Sequence, residues 1–383
     1  MKTVLYIVTK SDLGGIQKYL LEIANNLPKD IDAHFLMGSQ GYLSEELIKV
    51  GIKNEQLHFI PMTNNIFDIF QHVRSNLKTL SIISKIKPDV IHCNATTGAI
   101  VGAVCGFLTK IPTIYTVHGW PFTDGISKNK QKFYKILEFI ICSVYKKIIC
   151  VSEYDRQIGI KTLPMYKDKM ITIHNGISDT EDEYKKDWAS SSLSKGECWG
   201  EGSDESLKIV MISRFCPQKD PYTLIFAVHE LIKEGYNIKL DLYGYGQELE
   251  EVKQSIKKCV ENRQTENIKY CGEVSDVTPI LKNYDVYALI SNWEGLPIGI
   301  IEAMRAGLPI LVSDVGGNSE CVKDNGYLVK RQDIMDCRKQ IKQLCDNREN
   351  LHELGQNSRK FYEEEFLARN MVEKTLEEFK GLK

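Results

Sequence analysis

The sequence of 383 residues lacks the features that would assign it to several specialised classes of protein. Its eleven cysteines include no Cys-x-x-Cys pair, so neither a structural zinc site nor a disulfide framework is indicated. No run reaches the ~18 apolar residues that a membrane-spanning helix requires. The apolar run after Met1 is too short for the core of a signal peptide. We therefore expect a cytoplasmic protein with reduced thiols.

The chain also lacks a strong net charge. The formal value of −2 argues against a general nucleic-acid binder. The charge is unevenly spread, however, because residues 1–178 hold 21 Lys and Arg against 14 Asp and Glu, whereas the remainder holds 28 against 37. A basic first half and an acidic second half predict different partners for the two.

The densest basic segment is residues 128–147, which read KNKQKFYKILEFIICSVYKK. Lysines are mixed there with Phe133, Tyr134, Phe139 and Ile140. This pattern is typical of an amphipathic helix that lies on an anionic membrane. It is also typical of a helix that packs on a core and leaves a lysine edge in water, which is the interpretation that we favour. The sequence alone leaves both open.

Short apolar runs alternate with helical patterns along both halves of the chain. Runs such as TVLYIVT, DVIHCN, LKIVMIS and DVYALIS have the continuous apolar character of buried parallel strands. The alternation predicts an α/β protein of two Rossmann-like, doubly wound domains, residues 1–178 and 207–360. Residues 179–206 are rich in Ser, Gly and charge and predict a linker, and residues 361–383 predict a helix that packs back on the first domain. Ligands bind at the C-terminal ends of such strands, so we expect both sets of strand-end loops to face a cleft between the domains.

Two loops of the second half carry cations and glycines just after predicted strands. In ISRFCPQKD, Arg214 and Lys219 are spaced to meet a phosphate, which Arg can bind with two hydrogen bonds. The alternative is a pair of solvated surface cations. In LYGYGQELEE, Gly244 and Gly246 form a Gly-x-Gly that is weak evidence for a dinucleotide site, since the third glycine is absent.

The segment SNWEGLPIGIIEAMRA places two glutamates eight residues apart. Proline suits a first helical turn, so the helix is predicted to begin near Pro297 or Ile298. Glu294 then lies in the loop before the helix and Glu302 lies inside it. Carboxylates can accept hydrogen bonds from sugar hydroxyls, and the helix N-terminus favours an anion. The alternative is one glutamate that interacts with the helix dipole and one surface glutamate.

The first half offers candidates of the same kind. Gly15 opens a helix after the first strand, where the backbone could approach an anion, although a tight turn would also use glycine. His118 and Asn94 end two predicted strands, and a histidine there can donate to a hydroxyl or phosphate oxygen. Asn175 lies in IHNGIS, where Asn-Gly is first of all a turn signal. A hydrogen-bonded structural histidine remains the alternative for His118.

Taken in order, these loops resemble the retaining glycosyltransferases of family 4, the group 1 glycosyl transferases, which have the GT-B fold. The resemblance spans nearly the whole chain. Its most specific element is the Glu-x7-Glu pair in EGLPIGIIE, and the segments that support it in order are GGIQKYL, VHG, HNGIS, SRFCPQKD, CGEVSDV and VSDVGGNSECV. It implies transfer of a sugar from a nucleotide diphosphate, with UDP favoured, to an acceptor hydroxyl with retained anomeric configuration.

The resemblance also implies roles for individual residues. Glu294 would bind the donor sugar and Glu302 the nucleotide ribose. Arg214 and Lys219 would neutralise the diphosphate as it leaves, and His118 would contact the donor sugar. The other donor-site candidates lie in strand-end loops or at the start of the helix: Gly15, Gly244, Gly272, Val274, Gly295, Leu296, Pro297 and Ile298. The candidates for the acceptor side or the cleft are Asn94, His118 and Asn175, and neither a metal nor another cofactor is expected.

One departure from the family pattern affects the donor contacts. Many members have Glu-Gly-Phe-Gly where this chain has Glu-Gly-Leu-Pro at residues 294–297, and proline lacks the N–H that would contact the donor. The acceptor is expected to bind the basic first half. A glycan linked to a lipid diphosphate would suit that charge, with contact to an anionic membrane at the inner face of the plasma membrane. This points to bacterial capsule, O-antigen or exopolysaccharide synthesis.

Two other functions fit part of this pattern. A sugar-nucleotide epimerase can share the two-domain architecture, but it would need acid and base groups against the sugar ring and no acceptor. A non-catalytic nucleotide-binding module would need neither Glu294 nor a second domain. Incubation with a nucleotide sugar separates the three by yielding epimerised sugar, transferred or hydrolysed sugar, or no change.

Overall fold

A computed structural model describes residues 2–63, 68–123, 125–180, 185–186, 206–260 and 267–382. The chain divides into two compact units. Unit 1 comprises Met1–Ser178 and Ala368–Lys383, and unit 2 comprises Asp179–Leu367. Most of the predicted linker, residues 179–206, lies outside the described residues.

Unit 1 is a parallel sheet flanked by helices. Its strands are β1 (Lys2–Ile7), β2 (Ile31–Met37), β3 (Leu57–Phe59), β4 (Val90–Asn94), β5 (Thr113–Val117), β6 (Lys147–Cys150) and β7 (Met170–Thr172). Its connecting helices are α1 (Gly15–Asn26), α2 (Tyr42–Lys49), α3 (Ile69–Ile86), α4 (Ala95–Thr109), α5 (Lys128–Val144) and α6 (Glu153–Thr162), with 3₁₀ turns at Asn54–Gln56 and Pro164–Lys169. The strand order is β3-β2-β1-β4-β5-β6-β7, with every pair parallel.

The small residues of α4 explain how this helix packs on the sheet. A Cβ on Gly102 would lie 2.0 Å from Cys93 Sγ, and one on Gly106 would lie 2.3 Å from the Thr113 side chain. Glycine therefore lets the backbone of α4 approach β4 and β5 more closely than any other residue would. Among the described residues, no helix combines the length and the hydropathy that crossing a membrane demands.

Unit 2 repeats the same construction. Its strands are β8 (Leu207–Ile212), β9 (Ile238–Tyr243), β10 (Ile268–Tyr270), β11 (Val286–Leu289), β12 (Ile310–Ser313) and β13 (Gly326–Val329). Its helices are α7 (Pro221–Lys233), α8 (Leu249–Val260), α9 (Thr278–Leu281), α10 (Ile298–Arg305), α11 (Ile334–Asp346) and α12 (Leu351–Glu365), with 3₁₀ turns at Gly316–Cys321 and Arg348–Asn350. The order is β10-β9-β8-β11-β12-β13, again parallel throughout.

Both units confirm the predicted doubly wound α/β class. The strands expected from the apolar runs all form, and β13 is an additional strand that the sequence did not predict. It begins with Gly326 and only its last residue, Val329, is buried. A short, half-exposed edge strand lacks the continuous apolar run by which buried strands are recognised.

The chain returns from unit 2 to unit 1 through its last helix, α13 (Ala368–Lys380), which packs against α1. The Ala368 N–H donates to Ile177 O at 2.9 Å, and Lys147 pairs with Glu378 at 2.8 Å. The sequence places the start of this return at residue 361. In the structure, α12 continues to Glu365 within unit 2 because it packs against α10 and buries Tyr362.

The buried carboxyl of Glu138 gives unit 1 a testable pH dependence. Its Oε1 accepts hydrogen bonds from Thr96 Oγ1 at 2.8 Å and from the Tyr115 hydroxyl at 3.3 Å, and burial raises its pKa from 4.5 to about 7. Between these values the native state binds more protons than the unfolded state. The free energy of unfolding should therefore fall as pH rises through this window, by about 3 kcal/mol in all.

We expect Glu138→Gln to remove most of this fall. Native-state hydrogen exchange of the β5 amides, corrected for intrinsic rates, reports unit 1 separately and can be compared at pH 5 and pH 8. Glu46→Gln, which changes a partly exposed carboxylate of α2 beside Lys49, is the control and should retain the dependence of the parent protein. The same pH dependence in Glu138→Gln and in the parent protein would contradict the assignment.

Candidate functional site

The strand order of unit 2 marks one point of its sheet as a candidate ligand site. From β8 the chain runs outward to β9 on one side, and β11 lies on the other. Such a reversal leaves a crevice at the carboxyl ends of the two strands, where open α/β sheets bind ligands. The loops that leave β8 and β11 are the ones in which the sequence placed Lys219 and Glu294.

These two loops are joined by backbone hydrogen bonds. Lys219 and Ser291 form an antiparallel bridge, the Asp220 N–H donates to Ile290 O at 2.9 Å, and the Asn292 N–H donates to Gln218 O at 2.7 Å. Asp220 then caps α7 by accepting from the Thr223 N–H. The loop after β8 is thereby fixed to the loop after β11 and to the helix that follows.

Lys219 and Glu294 form a buried ion pair at this crevice. The two side chains are only 11% and 5% exposed, and Lys219 Nζ donates to Glu294 Oε1. Gln218 Nε2 donates to the other carboxylate oxygen of Glu294 at 2.9 Å. Desolvation makes a buried pair a poor source of net stability, so this pair is better explained by a requirement for a fixed charge at this position.

The backbone of Glu294 is held by a second close contact. Gly316 has φ +58°, and a Cβ there would lie 1.9 Å from Glu294 O. The Gly317 N–H donates to Gly295 O at 2.8 Å. The loop after β12 therefore lies directly against the loop that carries Glu294, and only glycine permits this approach.

Helix α10 begins where the sequence predicted. Pro297 is its N-cap, with extended φ and ψ of −70° and 127°, and Ile298 is its first residue. The first N–H groups of a helix lack partners within the helix, so this end presents donors beside Glu294. The buried Tyr287 hydroxyl lies below the helix and donates to Ile212 O at 3.4 Å. Its pKa is raised by burial and further by the charges of Glu302 and Glu294.

Gly244 and Gly272 have structural reasons to be glycine. Gly244 has φ +146°, and a Cβ there would lie 1.8 Å from Ser213 O; Gly272 has φ +98°. The Gly244 N–H donates to Gly272 O at 2.8 Å. The half-buried Val274 follows in the same loop. A ligand at this side of the sheet would approach the backbone of these two loops.

Arg214 is not part of the buried cluster. Its side chain is exposed, and it forms no ion pair within the part of unit 2 that the structure describes. The structure therefore brings Lys219 and Glu294 together. Arg214 lies in the same loop as Lys219, after β8, but at the exposed rim of that loop.

Unit 1 has its own reversal of strand order between β1 and β4. Asn94 is the last residue of β4, and His118 directly follows the neighbouring strand β5. Asn94 Oδ1 lies 3.1 Å from His118 Nε2. Burial lowers the pKa of His118 to about 3, so the ring is neutral near pH 7 and can donate to Asn94 through Nε2. Tyr19 of α1 packs edge-on against this ring, with centroids 4.8 Å apart. The residue after Asn94, Ala95, has φ 59°, a conformation that costs a non-glycine residue about 1 kcal/mol.

Gly15 lies at the start of α1 in the same unit. A Cβ there would meet no protein atom within 4 Å, so packing within the protein does not require glycine. Asn175 is buried in the segment after β7. Its neighbour Gly176 donates to Met371 Sδ at 3.1 Å, and Ser178 binds Glu22 of α1 at 2.5 Å, so this segment crosses to α1 and α13.

Sequence reasoning missed three contributors to the site in unit 2. Gln218 is adjacent to Lys219, but nothing in CPQKD distinguishes its amide from that of a surface glutamine. The partner of Gly316 is a backbone oxygen 22 residues away in sequence, and Tyr287 reads as an ordinary strand residue. Within the described residues, no group of three or more His, Cys, Asp and Glu side chains could hold a metal ion.

Two family models match the chain in succession. The model described as Glycosyltransferase Family 4 matches residues 13–181, and the model described as Glycosyl transferases group 1 matches residues 200–361. Together they span most of both units and include all the strand-end residues discussed above.

Two curated relatives and one solved structure illustrate the similarity, which extends over most of the chain. The UDP-Gal:alpha-D-GlcNAc-diphosphoundecaprenol alpha-1,3-galactosyltransferase of Escherichia coli is 27% identical, over 84% of this chain and 82% of its own. The O-antigen biosynthesis glycosyltransferase WbnH of Escherichia coli is 26% identical, over 92% and 93%. The crystal structure of Anabaena HepE in complex with UDP and glucose superposes with a TM-score of 0.79 at 17% identity, covering 99% of both chains, and therefore shares the fold.

Proposed function

Because this chain belongs to the group 1 glycosyl transferases of glycosyltransferase family 4 and is a glycosyltransferase of the GT-B fold, we propose that it moves a hexose from a UDP-sugar to a hydroxyl of a lipid-linked glycan. The anomeric configuration of the sugar is retained. The donor binds in unit 2, at the carboxyl ends of β8 and β11. The acceptor is bound by the basic unit 1.

The observation that carries this proposal is the buried Lys219–Glu294 pair at the mouth of α10. A sugar diphosphate presents hydroxyls and a dianionic leaving group within a few ångströms of each other. Glu294 supplies an acceptor for the hydroxyls, while Lys219 and the N–H groups at the start of α10 supply positive charge for the diphosphate. The two joined loops, after β8 and after β11, thus contact both parts of the donor.

The chemical step breaks the bond between the anomeric carbon and the β-phosphate oxygen and forms one to the acceptor oxygen on the same face of the sugar. The proton of the acceptor hydroxyl passes to the departing phosphate. Lys219 stabilises the charge that develops on the diphosphate, and Arg214 at the rim adds a second cation when the donor is bound. Glu302, one turn inside α10, holds the ribose, and the loop of Gly272 and Val274 contacts the base.

His118 and Asn94 are the proposed sugar contacts of unit 1. The neutral His118 has one ring nitrogen directed to Asn94, and the pair can offer a hydrogen bond to a sugar hydroxyl without adding charge. At the start of α1, Gly15 would let the backbone approach a phosphate group. No metal or other cofactor takes part in the proposed reaction.

The acceptor class rests on the relatives and on the charge of unit 1. One relative is named for a diphosphoundecaprenol acceptor and another for O-antigen biosynthesis. A lipid diphosphate is anionic, which suits a half of the chain with 21 Lys and Arg against 14 Asp and Glu. We place the enzyme in the synthesis of a bacterial surface polysaccharide, at the cytoplasmic face of the membrane.

Lys219→Met is expected to weaken UDP binding by about 10-fold to 100-fold, because one charged hydrogen bond to phosphate is lost. Methionine keeps the unbranched side chain as far as Cε and removes only the ammonium group. Isothermal calorimetry with UDP, without added metal, gives the affinity directly. Lys233→Met, on the exposed surface of α7, is the control and should bind UDP as the parent protein does.

An unchanged affinity in Lys219→Met would remove this residue from the donor site. Because the substitution also leaves the buried Glu294 without its cationic partner, thermal unfolding is recorded for each variant. A protein that is still folded at the temperature of the titration separates a lost contact from a lost fold.

A thermal-shift screen with UDP, GDP, ADP and NAD tests the donor class. A ligand that binds only the native state raises the unfolding midpoint by mass action. A shift with UDP and its sugars supports the proposal. A shift with GDP alone would mean that the donor nucleotide carries guanine instead of uracil. A shift with NAD alone contradicts a transferase donor site.

A further inference from the structure

We propose that the outer surface of helices α3, α4 and α5 docks unit 1 onto an anionic lipid bilayer. This surface, the basic apolar face, consists of the large exposed apolar side chains of these helices together with their exposed lysines and arginine. Its apolar residues are Phe70, Val73 and Leu77 of α3, Val104, Phe107 and Leu108 of α4, and Phe133, Ile136, Phe139 and Ile140 of α5.

The three helices form one layer on one side of the unit 1 sheet. Helix α4 packs against both α3 and α5. The connections that contain them all advance in the same direction across the sheet, and right-handed crossovers therefore place them on the same side. The stripes that they expose point away from the sheet and share one outer surface.

Each stripe has the spacing of a single helix face. Residues three, four or seven positions apart lie on one side of a helix, and this is the spacing of Phe70, Val73 and Leu77. The opposite side of α5 is buried, with Ile141 and Cys142 in the core cluster. Each helix thus has one apolar side for its own core and a second that core packing does not use.

Exposed apolar side chains are concentrated on this face. Of the 17 large hydrophobic residues that are exposed within the described parts of the chain, ten belong to the basic apolar face. On the other side of the sheet, α1 and α2 expose only Ile48. Single exposed apolar residues are normal, but a contiguous group on three packed helices marks an interaction surface.

The charge on the same helices selects the kind of partner. Helix α3 carries three Lys and Arg, α4 carries none and α5 carries four, whereas the single acidic residue of the three helices is the buried Glu138. Lys110 at the end of α4 lies over the Phe107 ring, 5.0 Å from its centroid. Exposed apolar and basic side chains on three helices that carry no exposed acid match the acyl boundary and the headgroups of an anionic membrane.

The link between docking and sugar transfer rests on the proposed function, in which the acceptor is attached to a lipid. Docking itself is measured without donor or acceptor. A failure to bind vesicles would leave the transfer assay untouched, and a failure to transfer sugar would leave the docking result standing.

Flotation of the full chain with vesicles tests the proposal. Vesicles of phosphatidylcholine mixed with phosphatidylglycerol are compared with vesicles of phosphatidylcholine alone, at low and at high salt. The triple variant Phe107→Ser, Ile136→Ser, Ile140→Ser changes side chains that are 59–65% exposed. Ile48→Ser on the other side of the sheet is the matched control.

We expect the parent protein and Ile48→Ser to float with the anionic vesicles and to lose binding at high salt, because counterions screen the lysines. The triple variant should partition at least about 10-fold more weakly. Equal binding of the triple variant and the parent protein, or no preference for anionic vesicles, would overturn the proposal. So would a parent protein that is dimeric in solution and is made monomeric by the triple variant, since the face would then join two copies of the chain.

Discussion

Replacing Glu294 by glutamine is expected to lower the turnover of sugar transfer by about 100-fold or more, the cost of losing one preorganised charged contact at a reacting centre. Glutamine keeps the size of the side chain and can still accept a hydrogen bond from Gln218. It cannot balance the charge of Lys219 or hold two hydroxyls as a carboxylate does. Turnover with a UDP-sugar and a lipid-linked acceptor, measured as UDP release, gives the effect.

The matched control for this variant is Glu230→Gln. Glu230 is also paired with a lysine, Lys233 at 2.9 Å, but both side chains are more than 40% exposed on α7. Its substitution should leave turnover and the unfolding midpoint unchanged, because exposed pairs contribute little. Turnover of Glu294→Gln close to that of the parent protein, with both variants folded, would remove Glu294 from the reacting centre. Glu294→Ala should show an equal or larger loss.

Replacing Gly316 by alanine is expected to lower kcat/KM by about 100-fold, because a displacement of about 1 Å in a catalytic group is enough for such a loss. The new Cβ would lie 1.9 Å from Glu294 O, a distance that no protein contact sustains. The loop that carries Glu294 must therefore move, although Gly316 itself need not contact the substrate. Initial rates over a range of donor concentrations separate kcat from KM.

Gly235→Ala isolates the backbone strain from the collision. Gly235 also has a positive φ, +96°, but a Cβ there would meet no protein atom within 4 Å. Both variants incur the cost of an unfavourable backbone conformation, and only Gly316→Ala displaces Glu294. If both lost activity equally, or if Gly316→Ala remained fully active, the close contact between the two loops would not matter for catalysis.

The strands were largely predictable because buried parallel strands leave continuous apolar runs. The run DVYALI became β11, and its neighbours in both units followed the same rule. Strand β13 was not predictable from an apolar run because it is a half-exposed edge strand that begins with glycine. The start of α10 was predictable as well, since Pro297 both ends the loop and suits the first turn.

The contacts within the site were less predictable than its members. The sequence indicates both Lys219 and Glu294 as site residues, Lys219 for phosphate and Glu294 for the sugar. That they pair with each other depends on the antiparallel bridge between Lys219 and Ser291, which no local pattern encodes. Arg214 shows the reverse, because its spacing from Lys219 suggested a joint site and the structure leaves it exposed at the rim.

Helix α5 shows why one sequence pattern supported two interpretations. The alternation of lysines with large apolar residues predicted either a core helix or a membrane-facing one, and core packing was favoured. In the structure, α5 has one side buried in the core and a second side that exposes large apolar residues. Glu138, Ile141 and Cys142 face the interior, while Phe133, Ile136 and their neighbours are exposed. Only the positions of the neighbouring helices decide which residues are covered.

The most direct test of the central claim is the product of one reaction. The protein is incubated with UDP-hexoses and a lipid-diphosphate-linked glycan acceptor, and the anomeric configuration of the product is read by NMR. The account predicts UDP release that requires the acceptor, together with a new linkage of the same configuration as the donor, and loss of both in Glu294→Gln. A product of inverted configuration, or an epimerised sugar formed without consumption of acceptor, would contradict it.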